Sequence, residues 1–300
     1  MQKHKMHTAI NVIGMAVAFT CTILLLLLVY FQFSFDNFHQ HKGRLFQVYN
    51  SANGPQGLEV SSAMGFPAAP TFKAEGIGIE KATRYKFAGR GVRYKDKELE
   101  LHVRLVDNDF FSMFSFPVVQ GNKITPLADL GSVVLSEKAA EKIFGSENPL
   151  GKIISANVGG EWKTLAVSAI IKDFPRNSFV TCDVLARPEI SPDYTENKDK
   201  WDNQHHPVYV QLSPHTTQKL VEAQLRNLTK KYNPSDTTFL RNKGYQPDEN
   251  GDLASMRLLP LQETHFNAAL GGGNAVSKTF LYVLMLISFV IIMIACFNFV

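Results

Sequence analysis

Two runs free of charged residues stand at the ends of the chain, and alternating polar and apolar positions fill the space between them. From Val12 to Phe31 twenty residues carry no charge, with Leu24 to Leu28 at the centre. A helix rises about 1.5 Å per residue, so this run reaches across roughly 30 Å, the thickness of a bilayer core. Phe280 to Val300 is a second uncharged run of crossing length, in which only Ser288 and Asn298 are clearly polar. The pattern predicts a cytoplasmic N-terminus over 1–11, a transmembrane helix over 12–31, a water-soluble domain over 32–278 and a second transmembrane helix over 280–300. A polar tail usually follows such a span, so the sequence is expected to continue beyond Val300.

The first run also has features of a cleaved leader, since Lys3 and Lys5 precede it and Ala16-Val17-Ala18 fits a small-x-small cleavage pattern. The order argues for an anchor. Cleavage there would leave the most hydrophobic segment, Leu24 to Leu28, on the mature chain. Lys3 and Lys5 then place the N-terminus in the cytoplasm by the positive-inside rule, and the middle region outside.

Within the middle region, Phe35 and Phe38 with Asp36-Asn37 are expected to continue the first helix by a turn, up to Gly43. Leu45 to Tyr49 predicts a strand, and Pro67 to Glu75 a short helix opened by proline and limited by Pro70 and Gly76. Leu99, Leu101, Val103 and Leu105 alternate between Glu98 and Val106, and Gly91 to Tyr94 pairs with them across a Lys95-Asp96-Lys97 turn. Asp107 or Asn108 is expected to cap a helix bearing Phe110, Phe111 and Phe114. Ser132 to Leu135 reads as a strand leading to Ser136, an N-cap, with Glu137 and Lys142 complementing the helix dipole and Gly145 ending it. Strands follow at Lys152 to Val158, Thr164 to Ile171, Val180 to Ala186 and Val208 to Leu212. A helix over Thr216 to Tyr232 carries Val221, Leu225 and Leu228 on one face, with Glu222 and Arg226 as an i,i+4 pair. Strands and helices in this irregular order make the domain α+β. Gly271-Gly272-Gly273 reads as a joint before the second span, or as a simple linker.

The formal charge of +4 adds little to this picture, because setting Lys3 and Lys5 aside leaves 29 basic against 27 acidic residues with their signs interleaved. Nucleic-acid binding is excluded on that pattern. Cys21 and Cys296 lie in the spans and Cys182 is alone between them, so no intramolecular disulfide is expected in the soluble region, whose length needs none. The alternation around Cys182 predicts a buried structural thiol.

Candidate chemistry thins out on inspection. Gly145 to Ile153 has glycines and a lysine like a phosphate loop, but five residues instead of four separate its glycines and Ile153 replaces the magnesium-binding hydroxyl. The histidines, His39 and His41, His102, His205-His206, His215 and His265, show no HExxH or Cys-His pairing. Ser136 lacks the lysine of an SxxK nucleophile, position 139 being Ala139. Asp107 and Asp109 have nothing to orient them as acid and base. No catalytic residue, cofactor or metal is expected.

Several segments nevertheless group together. They are Phe35-Asp36-Asn37-Phe38-His39, Val133 to Ala140 leading to Phe144-Gly145, Asn148-Pro149-Leu150-Gly151-Lys152, Ile170 to Pro175 with Asn177-Ser178, and Ile294 to Val300. In these the chain resembles the FtsX/MacB-type ABC transporter permeases. The resemblance implies a MacB-like periplasmic core domain of two lobes in a bacterial inner-membrane protein. It implies a non-catalytic permease subunit, a separate or fused cytoplasmic ABC ATPase, a second permease copy or half, and an unidentified periplasmic partner or substrate. Such permeases have at least four spans. A sensor or receptor anchored by two helices has the same layout and stands as the alternative; further spans beyond Val300 would favour the permease.

Overall fold

The computed structural model describes residues 2–232, 234, 237–270 and 275–299, with no side chain described for 2–9, 298 and 299. The glycine joint at 271–273 and the Asn298 side chain lie outside that set. In chain order the elements are α1 (Gln2–Phe33), β1 (Leu45–Gly54), β2 (Gly57–Ser61), α2 (Ala68–Glu75), β3 (Ile79–Tyr94), β4 (Lys97–Val106), α3 (Phe110–Met113), β5 (Val118–Gly121), β6 (Ser132–Ser136), α4 (Glu137–Phe144), β7 (Ile153–Val158), β8 (Glu161–Ile171), β9 (Val184–Ala186), α5 (Tyr194–Asn197), β10 (Val208–Leu212), α6 (Gln218–Tyr232), α7 (Thr237–Asn242), β11 (Ala254–Pro260), α8 (Leu261–Thr264) and α9 (Lys278–Phe299).

Strand β3 runs through both lobes. Its first half pairs with β10, in a sheet ordered β11-β1-β10-β3 with β2 beside β1. Alternation decides the faces: Phe46, Val48, Val208, Val210 and Leu212 point to one side, where Phe72 of α2 and Val221 and Leu225 of α6 cover them. The outer edge of this sheet is closed by side chains. Gln218 Nε2 donates to the Leu258 carbonyl at 2.9 Å, and the Leu258 N–H donates to Glu222 Oε1 at 3.0 Å, so α6 stands in for a further strand. Glu222 is therefore not the partner of Arg226, which lies 3.7 Å from Asp252 instead.

The second half of β3 belongs to a closed ring. It pairs with β4, β4 with β9, β9 with β6, β6 with β8, β8 with β7, and β7 again with β3. Bulges bend β3 to complete the closure. At Gly89, φ is +154°, and a Cβ would approach the Asn157 carbonyl oxygen to 2.8 Å. Leu101, Val103, Leu105, Val133, Leu135, Ile154, Ala156, Leu165 and Val167 fill the interior. Helix α4 packs Ala139, Ile143 and Phe144 into the same core. Its ends are as the sequence predicts: the Ala139 N–H donates to Ser136 Oγ at 3.2 Å, and Gly145, at φ +62°, sends its N–H to the Glu141 carbonyl.

A third core joins the lobes to each other. Leu45, Tyr209 and Leu261 from the first lobe meet Tyr85, Val106, Phe110, Met113, Phe114, Phe116 and the outward faces of β6, β8 and β9. Each buried aromatic is worth about 1.5–3 kcal/mol over exposure, so the lobes are fused rather than hinged.

Helices α1 and α9 pack on one another. Among the described side chains the buried positions on α1, Thr22 and Val29, are seven apart, as are Leu281, Ser288 and Ala295 on α9. That period is the seam of a left-handed antiparallel pair, built partly from small residues that allow close approach. Most other positions from Ile10 to Phe31 and from Phe280 to Phe297 are apolar and exposed or half-buried, and Ile10–Phe33 and Lys278–Phe297 are long and apolar enough to cross a membrane.

Candidate functional site

Polar groups of the soluble domain gather where α1 ends and α9 begins. The sequence predicts continued helix through Phe38, but α1 stops at Phe33 and Asp36 takes φ +53°. A non-glycine residue holds that conformation only when its surroundings fix it. Here they do. The buried Asp36 carboxylate accepts from Ser178 Oγ at 3.1 Å and from the Phe179 N–H at 3.2 Å, and its own N–H donates to the Asn177 carbonyl at 2.9 Å. Asn177 Nδ2 completes the clasp by donating to the Ser34 carbonyl and hydroxyl at 3.0 and 2.9 Å.

His39 lies one turn on, with Nε2 3.6 Å from Asp36 Oδ1 and Nδ1 accepting from the Ser115 N–H at 3.1 Å. An accepting Nδ1 puts the proton on Nε2, facing the carboxylate. Phe38, Phe114 and Phe116 pack around the imidazole. Two segments that the sequence marks separately, Phe35 to His39 and Asn177-Ser178, are thus one structural unit.

The α9 side is tied to the same place through α8. His265 stacks on Phe35 with ring centroids 3.5 Å apart, its Nε2 is 2.6 Å from Gln32 Oε1, and its carbonyl accepts from the Val276 N–H. Burial lowers the His265 pKa, against the pull of Asp36. Gln262 Nε2 donates to Asn37 Oδ1, Lys278 pairs with Glu263 at 2.5 Å, and Phe33 packs against Phe266 and Tyr282. Nothing in the sequence pattern points to Gln262, Ser115 or Glu263, because their roles exist only when distant segments meet.

Farther from the membrane, charged groups cross the waist of β3. Arg84 is buried, with Nε donating to both Asp107 oxygens at 3.0 and 3.1 Å, Nη2 donating to Oδ1, and Nη1 donating to the Phe66 carbonyl. Lys86 donates to Asp193 at 2.9 Å and to Ser191 at 3.0 Å. Asp107 is therefore an anchor for Arg84 and not the expected helix cap, and Asp109 binds Lys73 at 2.7 Å. His206, beside this cluster, is buried with no hydrogen-bond partner on either ring nitrogen among the described residues, and burial followed by repulsion from His205, Arg84 and Lys86 depresses its pKa to about 3.

The remaining sequence candidates are dispersed. Cys182 lies just before β9, not within a strand; it packs beside the aromatic core, where burial and Asp183 push its thiol up. His41 contacts Arg44, and His102 contacts Asp183. Lys152 of the phosphate-loop-like segment pairs with Glu147, whose carboxyl is held at about 2 by hydrogen bonds from Lys152 and Lys95. Among the described residues no three His, Cys, Asp or Glu side chains converge as a metal site. The junction has the hydrogen-bond density to carry displacement between helix and domain.

The model of the MacB-like periplasmic core domain family matches residues 8–228. Among solved structures, a domain of a protein described as a permease from Porphyromonas gingivalis has the same fold, with a TM-score of 0.60 and 23% identity over 74% of this chain and 91% of that one. The periplasmic region of MacB from Actinobacillus actinomycetemcomitans is similar at 16% identity, over 71% and 88% of the two chains, with a TM-score of 0.46. The extracellular domain of the noncanonic ABC-type transporter YknZ from Gram-positive bacteria is similar at 14% identity, over 72% and 99%, with a TM-score of 0.46. No curated protein matches the chain.

Proposed function

The chain belongs to the MacB-like periplasmic core domain family, that of MacB/FtsX-type ABC permeases, and from that premise we propose that it couples ATP hydrolysis by a cytoplasmic partner to movement of its outer domain. The protein itself is a non-catalytic subunit in this reading. Lys3 and Lys5 lie in the cytoplasm, residues 32–278 lie in the periplasm, and a second permease copy or half completes the membrane part.

The observation that carries this reading is the Asp36 clasp. A helix that merely anchors a domain needs a tether, whereas α1 ends in a buried carboxylate bonded to a loop 142 residues away. Displacement of α1 therefore reaches the domain without a slack segment, and the fused aromatic core spreads it to both lobes. Such coupling needs nucleotide to favour one helix arrangement, and a preference of about 1.4 kcal/mol already shifts the balance tenfold.

The test is a spin-label distance between Lys95 and the outer membrane boundary of the second permease copy or half, with the ATPase trapped nucleotide-free and ATP-bound. The distributions are expected to differ. Identical distributions in a hydrolytically active complex would overturn the coupling, and absence of any ATPase partner would favour an anchored sensor.

A further inference from the structure

A cavity of about 450 Å³ opens where α8 meets the first turn of α9, with Leu259, Glu263, Phe266, Asn267, Val276 and Lys278 in its wall. Its level is fixed by its own residues: Lys278 is the first residue of the second span, so the cavity lies where lipid headgroups meet the outer surface. We propose that it binds the headgroup of a phospholipid carrying a primary ammonium, phosphatidylethanolamine. This goes beyond the transport reading and does not depend on it.

Charge complementarity selects the occupant. Lys278 Nζ sits 2.7 and 2.5 Å from the Glu263 oxygens, and both side chains remain partly exposed at the cavity wall. A zwitterionic headgroup can enter such a pair without changing the net charge, its phosphate taking Lys278 and its ammonium taking Glu263. A headgroup with phosphate alone satisfies the lysine and leaves the carboxylate facing a like charge. A trimethylammonium group restores the charge balance but has no N–H to donate. The ring of Phe266, 5.0 Å from Lys278 Nζ, can receive either cation through its face, so Glu263 is the group that tells them apart. Leu259, Val276 and Phe266 give an apolar wall for the glycerol and first methylenes, a mixture of few polar and several apolar groups usual in small-ligand sites.

Native mass spectrometry on the purified full chain, after delipidation and incubation with equal amounts of phosphatidylethanolamine, phosphatidylcholine and phosphatidylglycerol, reads the selectivity directly. Phosphatidylethanolamine should be retained about tenfold over phosphatidylcholine, the factor that one charge-assisted hydrogen bond is worth. Glu263→Gln should bring the two to parity, and Lys278→Gln should lower retention of both. Circular dichroism of each variant without added lipid checks its fold; if a variant does not fold, discrimination by the unmodified chain decides. Equal retention of the three lipids by that chain would overturn the proposal, as would selectivity surviving in a folded Glu263→Gln. Displacement of the lipid by an equal concentration of soluble phosphoethanolamine would overturn its assignment to a membrane lipid.

Discussion

Asp36 and Ser178, 142 residues apart in the chain, are joined by a 3.1 Å hydrogen bond from the Ser178 hydroxyl to a buried carboxylate oxygen just past the C-terminal end of α1. The same carboxylate takes the Phe179 N–H, and the backbone around it is held at φ +53°.

Removing this side chain takes the carboxylate acceptor from the Phe179 N–H, leaves the Ser178 hydroxyl with the Val180 carbonyl alone, and keeps an L-residue in a left-handed conformation without the bonds that hold it there. Asp36→Ala is expected to destabilise the protein by about 2–4 kcal/mol. Asp36→Gly keeps the backbone conformation and should cost less. Unfolding of the detergent-solubilised chain followed by circular dichroism measures the difference, and Gly equal to or worse than Ala would show that the strain argument is wrong.

The waist offers a sharper energetic contrast, because the side chain of Arg84 is 4% exposed and depends on Asp107. Truncating one member of a buried ion pair strands the other, at a cost of about 3–5 kcal/mol, whereas replacing both with apolar groups of similar size is often close to neutral. Asp107→Ala should therefore destabilise more than the double replacement Arg84→Met, Asp107→Leu. A double-mutant cycle with additive losses would show that the two charges are not coupled.

The same residues explain where sequence reading fell short. β4 and α4 were legible because their periodic apolar positions face one core, and β6 and β10 because short apolar runs buried on both faces read as strands. The first half of β3 was not, since Thr83, Arg84 and Lys86 look like solvent-facing residues and are buried only because Asp107, Asp193 and Ser191 meet them. The turn at Asp36 was read as helix for a related reason. Its local sequence suits a helix, and the groups that reverse it, Asn177 to Phe179, come from the distant segment between β8 and β9. Glu222 and Arg226 have ideal helical spacing, yet each is taken by a distant partner. The motifs that group the chain with its family did mark the junction, although not that two of them touch.

Acid should loosen the waist through His206. Its pKa is about 3 in the fold, against about 6.5 unfolded, so the unfolded chain binds more protons between those values. The neutral ring's contribution is fully present above pH 6.5 and declines as pH falls from there towards 3, by about 1.4 kcal/mol per unit in mid-range. The facing groups are His205, Arg84 and Lys86, which oppose its charge, and Asp193, which favours it. His205 is lowered too, by burial first, and acts in the same direction. Thermal unfolding between pH 5 and 6.5 avoids most carboxylate titration. His206→Phe should flatten the pH dependence there, and an unchanged slope would assign it to other groups.

The topology can be tested with cysteines in a background lacking Cys21, Cys182 and Cys296. Cys182 itself is a poor reporter, because it packs beside the aromatic core and its raised pKa keeps little of it as thiolate. Lys95, in the exposed turn between β3 and β4, and Asn250, in the exposed turn before β11, are better placed. Lys95→Cys gives up a surface pair with Glu147 and an exposed contact with the Tyr94 ring, which are worth little. Both cysteines should react with a membrane-impermeant thiol reagent in cells whose outer membrane alone is permeabilised, because residues 12–31 and 280–300 carry no charge to oppose insertion and the proposed orientation puts Lys3 and Lys5 inside. A cysteine at position 2 should stay unreactive until the inner membrane is broken. Labelling of Lys95→Cys and Asn250→Cys only after that step would reverse the orientation, and with it any scheme in which a cytoplasmic ATPase drives the Asp36 clasp from the other side of the membrane.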